Sequence, residues 1–326
     1  MPKFKKFLIP GTKEEFMKKL LYIFLCFCLL IPVTAIGKQK VIFNSDLGDD
    51  IDDAFALALV LSSPEFDVIG VVMDYGYTSK RAQIACKMLY ETGLEHIPVV
   101  VGRETNHNYS PQFKWGKGFT KIQPIKQPAA DFIIENLRKY PNEIIIITVG
   151  PATNMGDVIK QDPNALKLAK HIYSMSGSFY MGYNGGPVPD AEWNIDRDVE
   201  SAKMFSASGA HITYAGLDIT TFVKLDKENL LKLLMRQSPL TNALCGLYSL
   251  WGQKTPTLYD VVAVGMVLWP DLFTTRPAYV KVIDGGYTVI DESKSPNCEI
   301  GISIKKEEFL NKIMQRYLNQ NLERDQ

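Results

Sequence analysis

The sequence has 326 residues, of which 46% are hydrophobic, and this is enough for one large domain or two small ones. Its 36 basic and 36 acidic residues cancel, and residues 1–37 hold six lysines but two glutamates, so the remainder is mildly acidic. This charge balance argues against a nucleic-acid-binding surface.

The first segment in chain order, residues 1–37, has the layout of a secretory signal peptide. A lysine pair precedes an apolar run over residues 20–33, and Ala35 and Gly37 supply the small residues of a cleavage site. The apolar run is shorter than the roughly 20 residues of a membrane span. We therefore predict an exported protein, periplasmic or secreted, that is free of the membrane after cleavage. Met17 is an alternative start of the chain, and an uncleaved anchor is the alternative outcome.

After this segment, β-rich apolar runs alternate with helical patterns. Strands are predicted at residues 40–46, 66–76, 97–102, 143–150, 171–177 and 211–218. Helices are predicted at residues 52–63, 79–93, 128–141, 152–163 and 199–209, with a β-hairpin-like appendage over 277–304 and a last helix over 307–318. The alternation predicts a single α/β domain over residues 38–326, with an open, mostly parallel central sheet flanked by helices.

Polar or glycine-rich turns follow five of the predicted strands. These turns read NSDLGDD, MDYGY, VGPATN, SGSFYMGYNGG and GLDIT. Because ligands of open parallel sheets bind beyond the carboxyl ends of the strands, we expect the functional site at this rim. The aromatic and glycine-rich stretch 103–127 is predicted to be a loop or lid near the same rim.

Five aspartates fall within residues 46–53, where the first strand is followed by the first helix. Carboxylates this close repel one another unless something positive lies among them. Calcium, which takes six to eight oxygen ligands, is the simplest candidate, and the four scattered histidines do not form a transition-metal set. Gly48 allows a sharp turn, so that Asp46 and Asp53 can point inward together. Helix caps and an acidic surface loop are the alternative explanations.

The segment NSDLGDDIDDA resembles the N-terminal signature of the nucleoside hydrolases, which cleave the N-glycosidic bond of ribonucleosides. Four further segments resemble family segments in the same order: EIIIITVGPATNM, DAEWNIDRD, ITYAGLDIT and TLYDVVAVGMVLWP. The resemblance extends from about Lys40 to Leu318. It implies an inosine-uridine preferring N-ribohydrolase that depends on Ca²⁺, releases ribose and free base, and forms a homodimer or homotetramer.

The resemblance also implies roles for individual residues. One Ca²⁺ would be held by Asp46, Asp53, Asp260 and the main-chain oxygen of Val149, and Asp46 would also deprotonate the attacking water. The residues implied to bind ribose hydroxyls or line the substrate pocket are Asp52, Asn184, Glu192, Trp193, Asn194 and Tyr259. Carboxylates around the sugar would stabilise the positive charge that develops as the base leaves.

The chain departs from the family pattern at the aspartate-rich segment. Asn44 replaces the first acid of the signature, and two residues are inserted before the pair Asp52 and Asp53. Asp50 is therefore an alternative to either member of that pair.

Two further departures concern the sugar and the leaving base. Tyr77 stands where many members have an asparagine that binds the ribose, and Asp74 is the candidate to make the lost hydrogen bond to the sugar instead. Tyr259 stands where many members have a histidine that protonates the leaving base. These departures leave three outcomes open. The protein hydrolyses ordinary nucleosides with another acid from the 103–127 loop, such as His107, or it acts on a different ribosyl compound. The third outcome is a non-catalytic protein that binds a ribosyl or polyol ligand in a calcium-dependent way. The aromatic residues that are candidates for stacking on a base, with packing as the alternative, are Tyr109, Phe113, Trp115, Tyr248 and Trp251.

Overall fold

The structure of the protein, a computed structural model, describes residues 37–324. The strands in this range are β1 (Gln39–Ser45), β2 (Phe66–Met73), β3 (Val99–Val101), β4 (Ile145–Thr148), β5 (His171–Ser174), β6 (Ile212–Tyr214), β7 (Phe273–Ala278), β8 (Val280–Ile283), β9 (Tyr287–Ile290) and β10 (Cys298–Ile304). The helices are α1 (Asp52–Leu61), α2 (Thr78–Glu91), α3 (Phe113–Gly116), α4 (Ala129–Lys139), α5 (Thr153–Gln161), α6 (Trp193–Arg197), α7 (Val199–Ser206), α8 (Leu217–Thr220), α9 (Lys227–Arg236), α10 (Pro239–Trp251), α11 (Tyr259–Leu268) and α12 (Lys306–Asn319).

Eight strands form one sheet in the order β3-β2-β1-β4-β5-β6-β10-β7. Strand β1 pairs in parallel with β2 and β4, and Val41 lies opposite Ile145 while Phe43 lies opposite Ile147. Val41 and Phe43 pack into the core on one face of the sheet, and Ile42 packs into the core on the other. Both faces are therefore covered, as parallel strands with continuous apolar sequence require. The predicted α/β fold with an open, mostly parallel sheet is confirmed.

Helix α1 lies in the middle of the core and carries the aspartate pair at its first turn. All ten of its residues are buried, which agrees with the apolar residues on every face of its sequence. It packs against α10, α11 and α12, three helices from the C-terminal part of the chain. The contact with α11 brings the beginning of α1 close to the beginning of α11.

The prediction for residues 277–304 is wrong in part. Strands β8 and β9 form the expected hairpin, with Val280 opposite Ile290. Strand β10, however, enters the main sheet, parallel to β6 and antiparallel to β7. The physical reason is burial, because Ile300 in β10 becomes fully enclosed in the core when the strand joins the sheet. Residues 217 and 218, predicted as the end of the strand at 211–218, instead begin the short helix α8.

The predicted signal segment lies outside the described residues except for Gly37, so it stays a prediction. Within residues 37–324, each helix is too short or too polar to cross a bilayer.

Candidate active site

A cavity of about 270 Å³ opens at the carboxyl end of the sheet. Asp46, Val149 and Met175 line it, and they directly follow the neighbouring strands β1, β4 and β5. The remaining lining residues are Asp49, Asp50, Asp52, Asp53, Tyr183, Glu192, Trp193, Asn194, Trp251, Gln253, Tyr259 and Asp260. The predicted location of the site at the rim of the sheet therefore agrees with the cavity.

Three buried carboxylates form the acidic triad of this cavity: Asp52 and Asp53 in the first turn of α1, and Asp260 in the first turn of α11. Each offers an oxygen within 4.8 Å of the others. The Asp260 backbone N–H donates to Asp52 Oδ2 at 3.1 Å, and the Ser45 hydroxyl donates to Asp53 Oδ1 at 2.6 Å. Oxygens that share one calcium ion at 2.3–2.6 Å lie at most about 5 Å apart, so the acidic triad fits a hard divalent cation.

Asp46 lies in the same cavity but outside the acidic triad. Gly150 allows the end of β4 to approach it closely, because a Cβ at Gly150 would lie 2.9 Å from Asp46 Oδ1 and 3.0 Å from the Asp46 backbone nitrogen. Burial raises the pKa of Asp46 to about 6, the Arg81 charge lowers it, and the Asp49 charge raises it. The predicted ligand set of Asp46, Asp53, Asp260 and Val149 thus shares one cavity, while the triad also includes Asp52.

The triad is electrostatically costly without a cation. Burial raises the pKa of Asp52, Asp53 and Asp260 well above the usual value, and neighbouring carboxylate charges raise it further. No lysine or arginine lines the cavity in the part of the chain that the structure describes. Arg81 on α2, a residue that sequence reasoning missed, lies behind it, with Nη2 4.0 Å from Asp46 Oδ2. The donor set therefore suits the calcium ion that the family resemblance implies.

The alternative role for Asp50 is not favoured by this geometry. Asp50 lines the cavity but stands outside the acidic triad, and its Oδ1 accepts a hydrogen bond from the Ile51 backbone N–H at 2.6 Å. Asp52 and Asp53 occupy the first turn of the helix despite the two inserted residues.

Glu192 and Asn194 contribute polar groups from the beginning of α6. The Glu192 carboxylate accepts hydrogen bonds from the backbone N–H groups of Asn194, Ile195 and Gly177 at 3.0–3.2 Å. Burial raises the pKa of Glu192 to about 7, although these three bonds lower it. The Asn194 amide donates to the carbonyls of Val149 and Met175, both at 2.9 Å. Its Oδ1 is therefore the atom left to accept a bond from a bound molecule.

Aromatic side chains form another part of the cavity wall. The Trp193 backbone N–H donates to Tyr183 Oη at 2.9 Å, and the Tyr183 and Tyr259 rings pack edge to face with centroids 6.1 Å apart. Trp193 is 47% exposed, and the Arg197 guanidinium covers its ring at 4.2 Å. Sequence reasoning missed Tyr183, although the glycine-rich turn that carries it was expected at the rim.

Some predicted residues do not line the cavity. Asn184 is exposed on a turn with a φ of 57°, and its backbone N–H donates to the Thr221 hydroxyl at 2.7 Å. Tyr77 and His107 do not line the cavity; their rings lie 4.6 Å apart, and His107 Nε2 is 2.7 Å from Glu104 Oε2. The ribose-binding role of Asn184 and the acid role of His107 therefore stay predictions.

Asp74 is buried in a polar network rather than exposed to the cavity. It accepts hydrogen bonds from Asn44 Nδ2 at 2.7 Å and from the backbone N–H groups of Tyr75 and Asn154. Asn154 in turn donates to Asn44 Oδ1 at 2.8 Å. Asn44 thus joins β1 to β2 and α5 immediately before the site.

The five candidate stacking aromatics divide by location. Trp251 lines the cavity. Tyr109 and Phe113 pack edge to face on one another, Trp115 lies under the Lys87 ammonium at 4.1 Å, and the Tyr248 hydroxyl donates to the Lys254 carbonyl. None of these four lines the cavity; Phe113 is buried in the core, whereas Tyr109 is 65% exposed.

The fold and cavity together describe an α/β protein with a carboxylate-rich site at the strand ends. The model of the family described as inosine-uridine preferring nucleoside hydrolase matches residues 41–311. The chain therefore belongs to the nucleoside hydrolase family, whose members hydrolyse N-glycosidic bonds.

Curated relatives and solved structures agree with this assignment. The chain is 31% identical to uridine nucleosidase 1 of Arabidopsis thaliana over 287 residues, which cover 79% of this chain and 83% of that protein. It is 26% identical to the pyrimidine-specific ribonucleoside hydrolase RihA of Citrobacter koseri, with 85% and 97% covered. A plant nucleoside hydrolase structure superposes with a TM-score of 0.78 at 26% identity, covering 86% of this chain and 99% of that chain. A purine-preferring ribonucleoside hydrolase from Gardnerella vaginalis, with a TM-score of 0.76 at 23% identity over 86% and 98%, shares the fold.

Proposed function

We propose that the protein is a calcium-dependent hydrolase that cleaves the N-glycosidic bond of ribonucleosides or related ribosyl compounds, giving ribose and free base. The observation that carries the proposal is the meeting of four buried aspartates, from the end of β1 and the beginnings of α1 and α11, in one cavity with Glu192 and Asn194. The names of the uridine nucleosidase and ribonucleoside hydrolase relatives support the substrate class.

The residues assigned to calcium are Asp46, Asp53, Asp260 and the Val149 carbonyl, with the Asp52 carboxylate close enough to share the ion. A bound calcium ion supplies a fixed positive charge that gathers oxygen ligands and lowers the pKa of water. Asn194 already holds the Val149 carbonyl in place through its side-chain amide.

The chain's own carboxylates perform the sugar chemistry. Asp46 accepts the proton of the attacking water as a general base, because a carboxylate beside a bound cation stays ionised at neutral pH. As the base leaves, positive charge develops on the ribose, and the carboxylates of Asp52 and Glu192 stabilise it. Three backbone N–H groups fix Glu192, so its charge is oriented before the reaction begins. The Asn194 Oδ1 accepts a hydrogen bond from a ribose hydroxyl.

The aromatic part of the cavity wall is assigned to contact with the nucleobase of the substrate; it consists of Tyr183, Trp193, Trp251 and Tyr259. Tyr259 can donate a hydrogen bond to a leaving base, but a tyrosine is a poor acid at neutral pH because its pKa is near 10. Burial raises the pKa of Tyr259 further. We therefore expect faster cleavage where the base leaves without being protonated, as nicotinamide does from its riboside.

A reducing-sugar assay in calcium buffer tests the proposal on inosine, uridine, cytidine, adenosine, guanosine and nicotinamide riboside. Release of ribose from at least one compound is expected, with a loss of about a hundredfold or more in the Asp46→Asn variant. Asp67→Asn is the matched control, because Asp67 is exposed near the amino end of β2, at the opposite end of the sheet. It should retain wild-type turnover.

Tight calcium-dependent binding of these compounds without any ribose release would instead support a ribosyl-binding protein. Turnover that persists in Asp46→Asn would contradict the assignment of Asp46 as the general base.

Export and assembly extend the proposal. The lysine pair and apolar run of the first 37 residues support cleavage and release outside the cytoplasm. N-terminal sequencing of the protein recovered from the extracytoplasmic fraction should begin near residue 38. Light scattering of the purified protein should give the mass of a dimer or tetramer, as the family resemblance implies.

A further inference from the structure

Two side chains hold most of the main chain of the aspartate loop, defined here as residues 46–50. Arg81 Nη1 donates to the Asp46 carbonyl and to the Leu47 carbonyl, the latter at 3.1 Å. Gln112 Nε2 donates to the carbonyls of Asp49 and Asp50 at 3.0 and 3.1 Å. Four of the five carbonyls of the loop are therefore bonded to one guanidinium or one amide.

Both side chains are buried, so these bonds are held away from competing water. Arg81 is 3% exposed and Gln112 is 0% exposed. Arg81 comes from α2 and is itself oriented by a bond from Nε to the Tyr75 carbonyl at 2.8 Å. Gln112 comes from the 103–127 segment, which thus packs behind the aspartate loop.

The Gln112 side chain sits there at a cost. Its Oε1 is buried without a hydrogen-bond partner. A buried acceptor without a donor is destabilising, and both hydrogen bonds of the Gln112 amide nitrogen go to the loop carbonyls.

Arg81 also places a positive charge beside the loop. Its Nη2 lies 3.6 Å from Asp49 Oδ2 and 4.0 Å from Asp46 Oδ2. The guanidinium can therefore act in two opposite ways: by fixing the loop, which favours cation binding, and by its charge, which opposes it. The rigid guanidinium bonds the Tyr75 carbonyl from Nε and the two loop carbonyls from Nη1, and a lysine, with its single nitrogen, cannot reproduce this arrangement.

We propose that Arg81 and Gln112 are positioning residues that hold the aspartate loop, before the cation binds, in the shape that places Asp46 in the same cavity as the acidic triad. This rests on the proposed function. Partners outside the direct ligands typically change metal affinity by 10–100-fold when they are removed, because they orient the ligands.

The test measures calcium affinity by titration calorimetry on metal-free protein, with the calcium-induced shift in Tm as a second readout. Arg81→Lys, Arg81→Met and Gln112→Leu should each bind calcium about tenfold more weakly than wild type. At saturating calcium, kcat should fall more than KM changes, because Asp46 is displaced while the sugar-binding groups remain. Arg138→Met and Gln127→Leu are the matched controls, since both side chains are surface residues bonded to exposed carboxylates.

Comparison of the two Arg81 variants separates geometry from charge. Wild-type affinity in Arg81→Lys together with tighter binding in Arg81→Met would show that charge dominates and would overturn the proposal. Unchanged calcium affinity in all three variants, with only the metal-free Tm lowered, would show a merely structural role and would also overturn it. Gln112→Leu keeps the test open if an Arg81 variant fails to fold, because it removes no charge.

Failure of the proposed function gives a different result. Wild-type protein that binds calcium but cleaves none of the ribosyl compounds would refute the hydrolase, while weaker calcium binding in the variants would still support the positioning role. Wild-type protein that binds no calcium would overturn both.

Discussion

Substitution of Gly150 by alanine is expected to damage catalysis more than stability. The added Cβ would lie 2.9 Å from Asp46 Oδ1 and 3.0 Å from the Asp46 nitrogen, closer than such atoms normally approach. Restoring an ordinary contact needs a shift of about 0.5 Å. The backbone at Gly150 does not have a positive φ, so the crowding alone carries the effect. Crowding of a packed interior by one methyl group costs about 1–3 kcal/mol, or several degrees in Tm.

The effect on turnover follows from the displacement of Asp46. Asp46 is the residue assigned to the attacking water, and a misplacement of about 1 Å in a reacting group can cost ~10²-fold in rate. We therefore expect kcat to fall about ten- to a hundredfold in Gly150→Ala, measured by ribose release at saturating calcium. Gly186→Ala is the control, because the nearest atom to its added Cβ lies 3.5 Å away. Wild-type kcat in a folded Gly150→Ala protein would refute the placement of Asp46 against β4.

Three further predictions concern pH, calcium affinity and substrate binding. In the presence of chelator, the Tm measured by calorimetry should fall as the pH rises from about 5 to 8. Burial raises the pKa of Glu192 to about 7 and of Asp74 to about 8, so the folded state binds more protons than the unfolded state in this pH range. A rise in Tm over the same range would contradict this prediction. Ser45→Ala removes the 2.6 Å bond to Asp53 and should weaken calcium binding several-fold by titration; an unchanged affinity would mean that Asp53 needs no such support. Trp193→Ala should raise KM for nucleosides about tenfold with little change in Tm, because the ring is half exposed at the cavity; an unchanged KM would remove it from the base site.

Most of the sheet and part of the site could be predicted from local sequence. Unalternating apolar runs such as residues 143–150 identify strands buried on both faces, and β4 lies there in the sheet. The signal for Asp46, Asp52 and Asp53 is also local, since all three lie within eight residues at a strand-to-helix turn. The insertion of β10 into the main sheet had no such signal, because a short alternating strand fits a hairpin as well as a sheet.

The sequence by itself determined where acidic groups meet the end of a strand and that such crowding needs a positive partner. Only the tertiary structure decided which groups meet: α11 packs on α1, so that the Asp260 N–H reaches Asp52, 208 residues away. The same packing places Arg81 behind the aspartate loop, although nothing around it in the chain distinguishes it from a surface cation on an amphipathic helix. Periodicity encodes which face of an element is buried, but the partner of a buried charge depends on contacts between distant segments, which local pattern does not specify.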